Sequence, residues 1–135
     1  MPKGSSLVLL VDEEPLMREI TAEGLEKAGY AVLCLGSGQE ALEWLDGEAE
    51  VDFLICDLSM LGMDGLALIR AAQRRRPGLP AILLTGFATD AAELASGGAL
   101  SGSFTLLRKP IDANALAARV AELLDEAGAA SGRPA

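Results

Sequence analysis

Five short apolar runs, spaced fairly evenly along the chain, constrain the fold more than any other feature of the sequence. Each run has the length of a strand and is flanked by polar or turn residues. Most are apolar at consecutive positions, which is typical of strands that are covered on both faces. The predicted strands are Leu7–Val11, Ala31–Leu35, Phe53–Cys56, Ala81–Leu84 and Phe104–Leu107.

Helical segments follow each of these runs. The first is predicted from Pro15 to Ala28, because proline suits a first helical turn and Gly29 suits the residue after a helix. Its inward face is predicted from the helical spacing to hold Met17, Ile20, Gly24 and Ala28.

Capping signals mark three of the other helices. Ser37 and Glu40 form a capping box at the second helix, and Asp64 and Asp112 are the predicted caps of the third and fifth. The third helix ends in Arg74–Arg76, which we interpret as a structural complement to the helix dipole. The fourth helix, 88–95, has the weakest pattern.

The repeated β-α alternation predicts an α/β fold with helices on both faces of a parallel sheet. Right-handed crossovers favour a doubly wound, five-stranded, flavodoxin-like (βα)5 sheet with strand order 2-1-3-4-5. We assign residues 1–126 to this domain and 127–135 to a flexible tail or linker remnant. Ligands of such sheets bind at the carboxyl ends of the strands.

Composition excludes several classes of function. The chain of 135 residues has a net charge of −9, so it lacks the basic surface that nucleic-acid binding needs. It has no histidine, which excludes histidine-based catalysis and metal sites within the chain. Cys34 and Cys56 lie in apolar runs and are predicted to be buried thiols in a reducing compartment. No apolar stretch could span a membrane and the N-terminus does not resemble a signal peptide, so we expect a cytoplasmic protein.

Polar residues follow four of the five predicted strands at the same edge of the sheet. Asp12 and Glu13 follow the first, Asp57 the third, Thr85 the fourth and Lys109 the fifth. Crowded carboxylates need a compensating charge, and Mg²⁺ prefers oxygen ligands. A metal, an ammonium group and a carboxylate nucleophile together suit phosphoryl transfer to an aspartate.

These motifs resemble the receiver domain of two-component response regulators. The matching pieces lie in order along most of the chain: Asp12-Glu13-Glu14-Pro15, the segment from Asp57 to Asp64-Gly65, Thr85-Gly86 and Lys109-Pro110. The resemblance implies a switch that phosphorylates and dephosphorylates itself and is not an enzyme. It could stand alone or be part of a longer regulator or of a hybrid histidine kinase. It would receive its phosphoryl group from a histidine kinase or a phosphotransfer domain, and homodimer formation is left open.

The resemblance also implies a role for each matching residue. Asp57 would accept the phosphoryl group, and Mg²⁺ would be held by Asp12, Glu13, Asp57 and the backbone carbonyl of Ser59. Lys109 and Thr85 would bind the phosphoryl group, with Pro110 and Gly86 as structural residues beside them.

Two departures from the family pattern keep an alternative open. The second acidic position is Glu13 instead of the usual aspartate, and Leu106 stands where the family has an aromatic switch residue. A degenerate receiver that binds proteins without being phosphorylated is therefore the second hypothesis. A phosphatase of a related fold is rejected because Ser59 stands where it would need a second aspartate.

Overall fold

Strands and helices alternate along the chain in the computed structural model, which describes residues 6–58, 62–85, 105–108 and 111–130. The strands are β1 (Leu7–Val11), β2 (Ala31–Leu35), β3 (Phe53–Asp57), β4 (Ala81–Thr85) and β5 (Thr105–Arg108). The helices in the described ranges are α1 (Pro15–Lys27), α2 (Gly38–Leu45), α3 (Gly65–Arg75) and α4 (Ala113–Ala130). Helix α4 is the fifth predicted helix, and the fourth predicted helix lies outside the described residues.

The sheet is parallel throughout, with strand order β2-β1-β3-β4-β5. This arrangement confirms the predicted doubly wound topology. Strands β3 and β4 are buried at every residue, as their continuous apolar runs indicated. Helix α4 continues to Ala130, and the division of the chain at residue 126 stays a prediction.

Two hydrophobic clusters cover the two faces of the sheet. One joins the sheet to α2 and α3 and includes Leu45 and Ile69. The other joins the sheet to α1 and α4 and includes Leu25 and Val120. Alternate residues of each central strand enter opposite clusters, which is why these strands are apolar at consecutive positions.

The predicted caps begin three of the helices. The Ser37 hydroxyl accepts from the Glu40 amide at 3.1 Å, and Asp64 Oδ1 accepts from the Ala67 amide at 2.8 Å. Asp112 Oδ1 accepts from the Asn114 amide at 2.8 Å. Each side chain satisfies a backbone donor that the first helical turn leaves without a partner in the helix.

The arginine run at the end of α3 is structural, but it acts on the neighbouring helix. Arg76 Nη2 donates to the carbonyl oxygens of Leu45 and Gly47 at 3.1 and 3.0 Å, at the C-terminus of α2. Arg75 Nε donates to Asp46 at 2.6 Å in an exposed ion pair. The bonds from Arg76 satisfy the Leu45 carbonyl, which the last turn of α2 leaves open, and the Gly47 carbonyl just after the helix.

The predicted inward face of α1 is wrong for Met17, Ile20 and Ala28, which are exposed. Gly24 does lie inward, since a Cβ atom on it would overlap Ala113 at the start of α4. Ala22 and Leu25 are the buried residues of this helix, whereas Met17 and Ile20 are 40% and 51% exposed. The apolar residues of α1 fall on two stripes. The inward stripe was hard to recognise because it also contains Arg18, which is half-buried.

The predicted burial of Cys34 is also wrong, although Cys56 is fully buried as expected. Cys34 lies on β2, which is an edge strand of the sheet with exposed and half-buried positions only. An apolar run on an edge strand does not need cover on both faces.

Gly65, the first residue of α3, lies against the main chain of β3. A Cβ atom there would overlap the carbonyl oxygen of Asp57 and lie 2.6 Å from Leu83 Cδ1. Gly38 occupies the same position in α2, but a Cβ atom on it would lie 3.1 Å from the flexible thioether sulfur of Met63. The two glycines therefore differ in whether the neighbouring atom can move.

We expect Gly65→Ala to lower the free energy of unfolding by about 1–3 kcal/mol, because the backbone must shift to make room. Gly38→Ala is the matched control and is expected to stay within about 1 kcal/mol of the wild type, since a gain in helix propensity offsets the adjustment of Met63. Urea denaturation of both variants measures the difference. Equal stabilities would contradict the close approach at Gly65.

Candidate functional site

The register of β1 and β3 brings two carboxylates to the same level of the sheet. Val11 pairs with Cys56, so the next residues along the two neighbouring strands are Asp12 and Asp57. Adjacent strands lie about 4.8 Å apart. Both residues therefore stand side by side at the carboxyl edge, at the point where the strand order reverses.

Burial at this edge is unusual for polar residues. Asp12, Asp57 and Thr85 are 6%, 8% and 1% exposed, and Gln73 is the other buried polar residue in the described ranges. Glu13 is half-buried beside them. Buried charges are costly unless a partner or a cation compensates them, so the position of these carboxylates indicates a site for positive charge.

Asp12 is held in place through three of its polar atoms. Its amide donates to the Leu35 carbonyl at 3.2 Å, and its carbonyl accepts from Arg18 Nη1 at 2.6 Å. Its Oδ1 accepts from the Glu14 amide at 3.0 Å, immediately before α1. The acidic loop, Asp12-Glu13-Glu14, is thus bonded to β2 and to α1.

The main chain around Asp57 is fixed by β4 and α3. The Leu58 amide donates to the Leu84 carbonyl at 2.8 Å, which extends the β3–β4 ladder past Asp57. The Leu58 carbonyl accepts from the Gly65 amide at 3.0 Å. These bonds, with the close approach of Gly65, keep Asp57 at the sheet edge.

Cys56 is no competing nucleophile beside Asp57. Its Sγ lies 3.5 Å from the carbonyl oxygen of Gly65 within the core. Burial, with the nearby charges of Asp57 and Asp64, raises the pKa of the Cys56 thiol. The thiol therefore stays protonated, and a protonated thiol is a poor nucleophile.

Four of the predicted site residues lie at this edge: Asp12, Glu13, Asp57 and Thr85. Thr85 closes β4 and pairs with Arg108, the last residue of β5. The other four predicted residues, Ser59, Gly86, Lys109 and Pro110, lie outside the described residues. Their roles stay predictions.

The donor chemistry at the edge fits magnesium. In the parts of the chain that the structure describes, no three acidic or cysteine side chains converge on one metal position. Mg²⁺ does not need such a cage, because it usually takes one or two carboxylates and keeps water or phosphate oxygens as its other ligands. Asp12 and Asp57, side by side at the edge, supply two carboxylates of that kind, and Glu13 follows Asp12 in the chain.

Sequence reasoning missed the contact between Arg18 and Asp12. The signal was a cation one helical turn after Glu14, on the first helix after an acidic loop. The helical pattern alone did not show that this side chain turns back towards the end of β1.

Comparison with known proteins finds relatives in signalling. The chain is 35% identical over 124 residues to the transcriptional regulatory protein GlrR of Escherichia coli, covering 92% of this chain and 27% of GlrR. It is 36% identical over 124 residues to the sensor kinase CckA of Brucella abortus, covering 91% of this chain and 13% of CckA. The chain thus spans less than a third of either relative.

Solved structures share the fold over nearly their whole length. A response regulator receiver protein from Sinorhizobium medicae superposes with a TM-score of 0.80 at 29% identity, covering 91% of this chain and 97% of that one.

Within the described residues, no helix is both long and apolar enough to cross a membrane.

The family model of the response regulator receiver domain matches residues 8–121. That span includes β2 to β5, all of β1 except Leu7, and the carboxyl edge with Asp12 and Asp57. The chain therefore belongs to the receiver-domain family of two-component signalling systems.

Proposed function

We propose that this receiver is a phosphorylation switch in which Asp57 accepts a phosphoryl group from the phosphohistidine of a histidine kinase or a phosphotransfer domain. The observation that carries the proposal is the buried Asp57 carboxylate next to Asp12 at the carboxyl edge of the sheet. In the transfer, the P–N bond to the partner's histidine breaks and a P–O bond to Asp57 forms. A carboxylate can act as such a nucleophile.

Asp12, Glu13 and Asp57 would hold Mg²⁺, together with the Ser59 carbonyl. The ion supplies positive charge against the phosphoryl oxygens and the clustered carboxylates. The chain's own part is to hold Asp57 still, through the bonds from β4 and α3, and to keep the acidic loop in one conformation. Such positioning provides much of the catalysis of phosphoryl transfer.

Lys109 and Thr85 complete the proposed site. Thr85 is buried at the end of β4, on the strand next to Asp57, which supports a role for its hydroxyl in binding the phosphoryl group. Lys109 directly follows Arg108 in the sequence, which pairs with Thr85. An ammonium group there would pair with the phosphoryl oxygens.

The alternative is a receiver that binds its partner without phosphorylation. The observation that favours it is Leu106 on β5, which packs as an ordinary apolar residue against the cluster under α2 and α3. With no aromatic side chain at that position, the coupling between Thr85 and the β5 surface must differ from the family pattern. The intact pair Asp12 and Asp57 favours the switch.

The proposed protein partner is supported by an apolar surface next to the site. Leu16, Met17 and Ile20 are 66%, 40% and 51% exposed, and all three lie in the first half of α1, just after the acidic loop. A protein that delivers a phosphoryl group to Asp57 must cover this edge.

Free thiols at Cys34 and Cys56 support the proposal of a cytoplasmic, reducing location.

Incubation with Mg²⁺ and acetyl phosphate is expected to add the mass of one phosphoryl group to the chain, and Asp57→Asn is expected to abolish the addition because it removes the nucleophile. Intact-mass spectrometry measures both. Asp64→Asn is the matched control, since asparagine caps a helix as well as aspartate and the adduct should persist. A wild-type chain that gains no phosphate would favour the alternative of a binding module.

Glu13→Gln is expected to weaken Mg²⁺ binding by about tenfold or more, because a charged oxygen ligand is lost. Glu14→Gln removes the same charge from the neighbouring residue, which is exposed and is expected to have little effect. Calorimetric titration with Mg²⁺ compares the two. Equal losses would mean that Glu13 acts only through its general negative charge.

Ile20→Asp is expected to slow phosphoryl transfer from a phosphorylated histidine kinase that serves the wild-type chain, because a charge on the apolar α1 surface opposes docking. Phosphorylation by acetyl phosphate should stay unchanged, since that donor needs no docking surface. The initial rates with the two donors give the comparison. Equal slowing with both donors would contradict a docking role for α1.

A further inference from the structure

We infer that Arg18 is a positioning residue that sets the Mg²⁺ affinity of the site by fixing the peptide plane between Asp12 and Glu13. The inference rests on the proposed function of the same site. Arg18 is not among the proposed ligands of the metal or of the phosphoryl group. It would act through the main chain of the acidic loop.

The contact itself is short and charge-assisted. Arg18 Nη1 donates to the carbonyl oxygen of Asp12 at 2.6 Å, from the first turns of α1 back to the end of β1. Arg18 is half-buried, which limits competition from water. Hydrogen bonds from an ionised donor are stronger than those between neutral groups.

The position of that carbonyl matters because of the peptide geometry. The Asp12 carbonyl belongs to the same rigid plane as the Glu13 amide, so holding the oxygen fixes the start of Glu13 as well as the end of Asp12. The other bonds of Asp12 act elsewhere: its amide is held by Leu35 and its carboxylate by the Glu14 amide. Among the bonds described at Asp12, the one from Arg18 acts on this plane.

The guanidinium group of Arg18 lies close to the main chain just after the neighbouring strand, β2. A Cβ atom on Gly36 would lie 3.3 Å from Arg18 Nη1, so the group lies over the main chain just after β2. The glycine provides the space for it. Arg18 therefore contacts both the end of β1, at Asp12, and the chain just after β2, at Gly36.

Fixing this plane would keep the carboxylates of Asp12 and Glu13 in one relative orientation before the ion arrives. Without the bond, the plane is less restrained, and more of the ordering of the two ligands must take place when Mg²⁺ binds. Residues that orient metal ligands typically change metal affinity by about 10–100-fold when they are removed.

The first experiment is a calorimetric Mg²⁺ titration of the whole chain as wild type, Arg18→Ala and Arg18→Lys. We expect Arg18→Ala to bind Mg²⁺ about 10–100-fold more weakly. Arg18→Lys should recover part of the loss, because an ammonium group keeps one donor without the planar fork. Arg75→Ala is the matched control: it removes an arginine that pairs with Asp46 away from the carboxyl edge, and Mg²⁺ affinity should stay at the wild-type value.

Phosphorylation by acetyl phosphate separates positioning from loss of structure. Arg18→Ala should need more Mg²⁺ for half-maximal rate but approach the wild-type rate at saturating Mg²⁺. A variant damaged in its fold would lose the maximal rate as well. Urea denaturation without metal shows whether Arg18→Ala is folded.

Gly36→Ala reduces the space beside the guanidinium group of Arg18 while keeping the arginine. The added methyl group would displace Nη1 by a few tenths of an ångström and so disturb its bond to the Asp12 carbonyl, and the Mg²⁺ affinity should fall by less than in Arg18→Ala. In the Arg18→Ala background the same change should have no further effect, and the two substitutions should therefore be non-additive.

The outcomes separate the two proposals. Wild-type phosphorylation with an unchanged Mg²⁺ affinity in Arg18→Ala would overturn the inference and leave the proposed switch in place. A fall in Mg²⁺ affinity from Gly36→Ala that is just as large in the Arg18→Ala background would also overturn it. A wild-type chain that neither binds Mg²⁺ nor takes a phosphoryl group would overturn the proposed function, and the inference with it.

Discussion

The shared register of β1 and β3 is the constraint on which the site depends. Val11 opposite Cys56 places Asp12 and Asp57 level with each other, and a slip of one residue would separate them and turn apolar side chains out of both clusters. The hydrophobic core and the acidic edge are therefore fixed by the same hydrogen-bond ladder. Because β3 is buried at every residue, packing on both faces protects that register.

Burying carboxylates is costly, and in this structure the main chain around them is held in place by hydrogen bonds. Asp12 is held by bonds to β2 and α1, and the chain just after Asp57 by bonds from Leu58 to β4 and α3. Such order prevents the acids from relaxing away from one another, so their mutual repulsion is relieved by a cation or by partners at the edge.

The parts of this fold that could be predicted from sequence are those with local signals. Strand order followed from the β-α alternation, and the caps at Ser37 and Asp64 followed from their side-chain chemistry. The inward face of α1 and the exposure of Cys34 could not be predicted, since both depend on which neighbours cover an element. The acids were predicted to share an edge, whereas the bond from Arg18 needed the structure. The roles of Ser59, Gly86, Lys109 and Pro110 stay predictions.

The bonds from Arg76 to the end of α2 have a consequence for how the molecule can be observed. They join α2 and α3 at the edge of the sheet opposite the acids, and the cluster that contains Leu45 and Ile69 joins the same helices to the sheet. Two helices that are bonded at one end and packed on the same face of the sheet constrain each other, so local opening of one should release the other as well. Amide hydrogen exchange would then report α2 and α3 as a single opening unit.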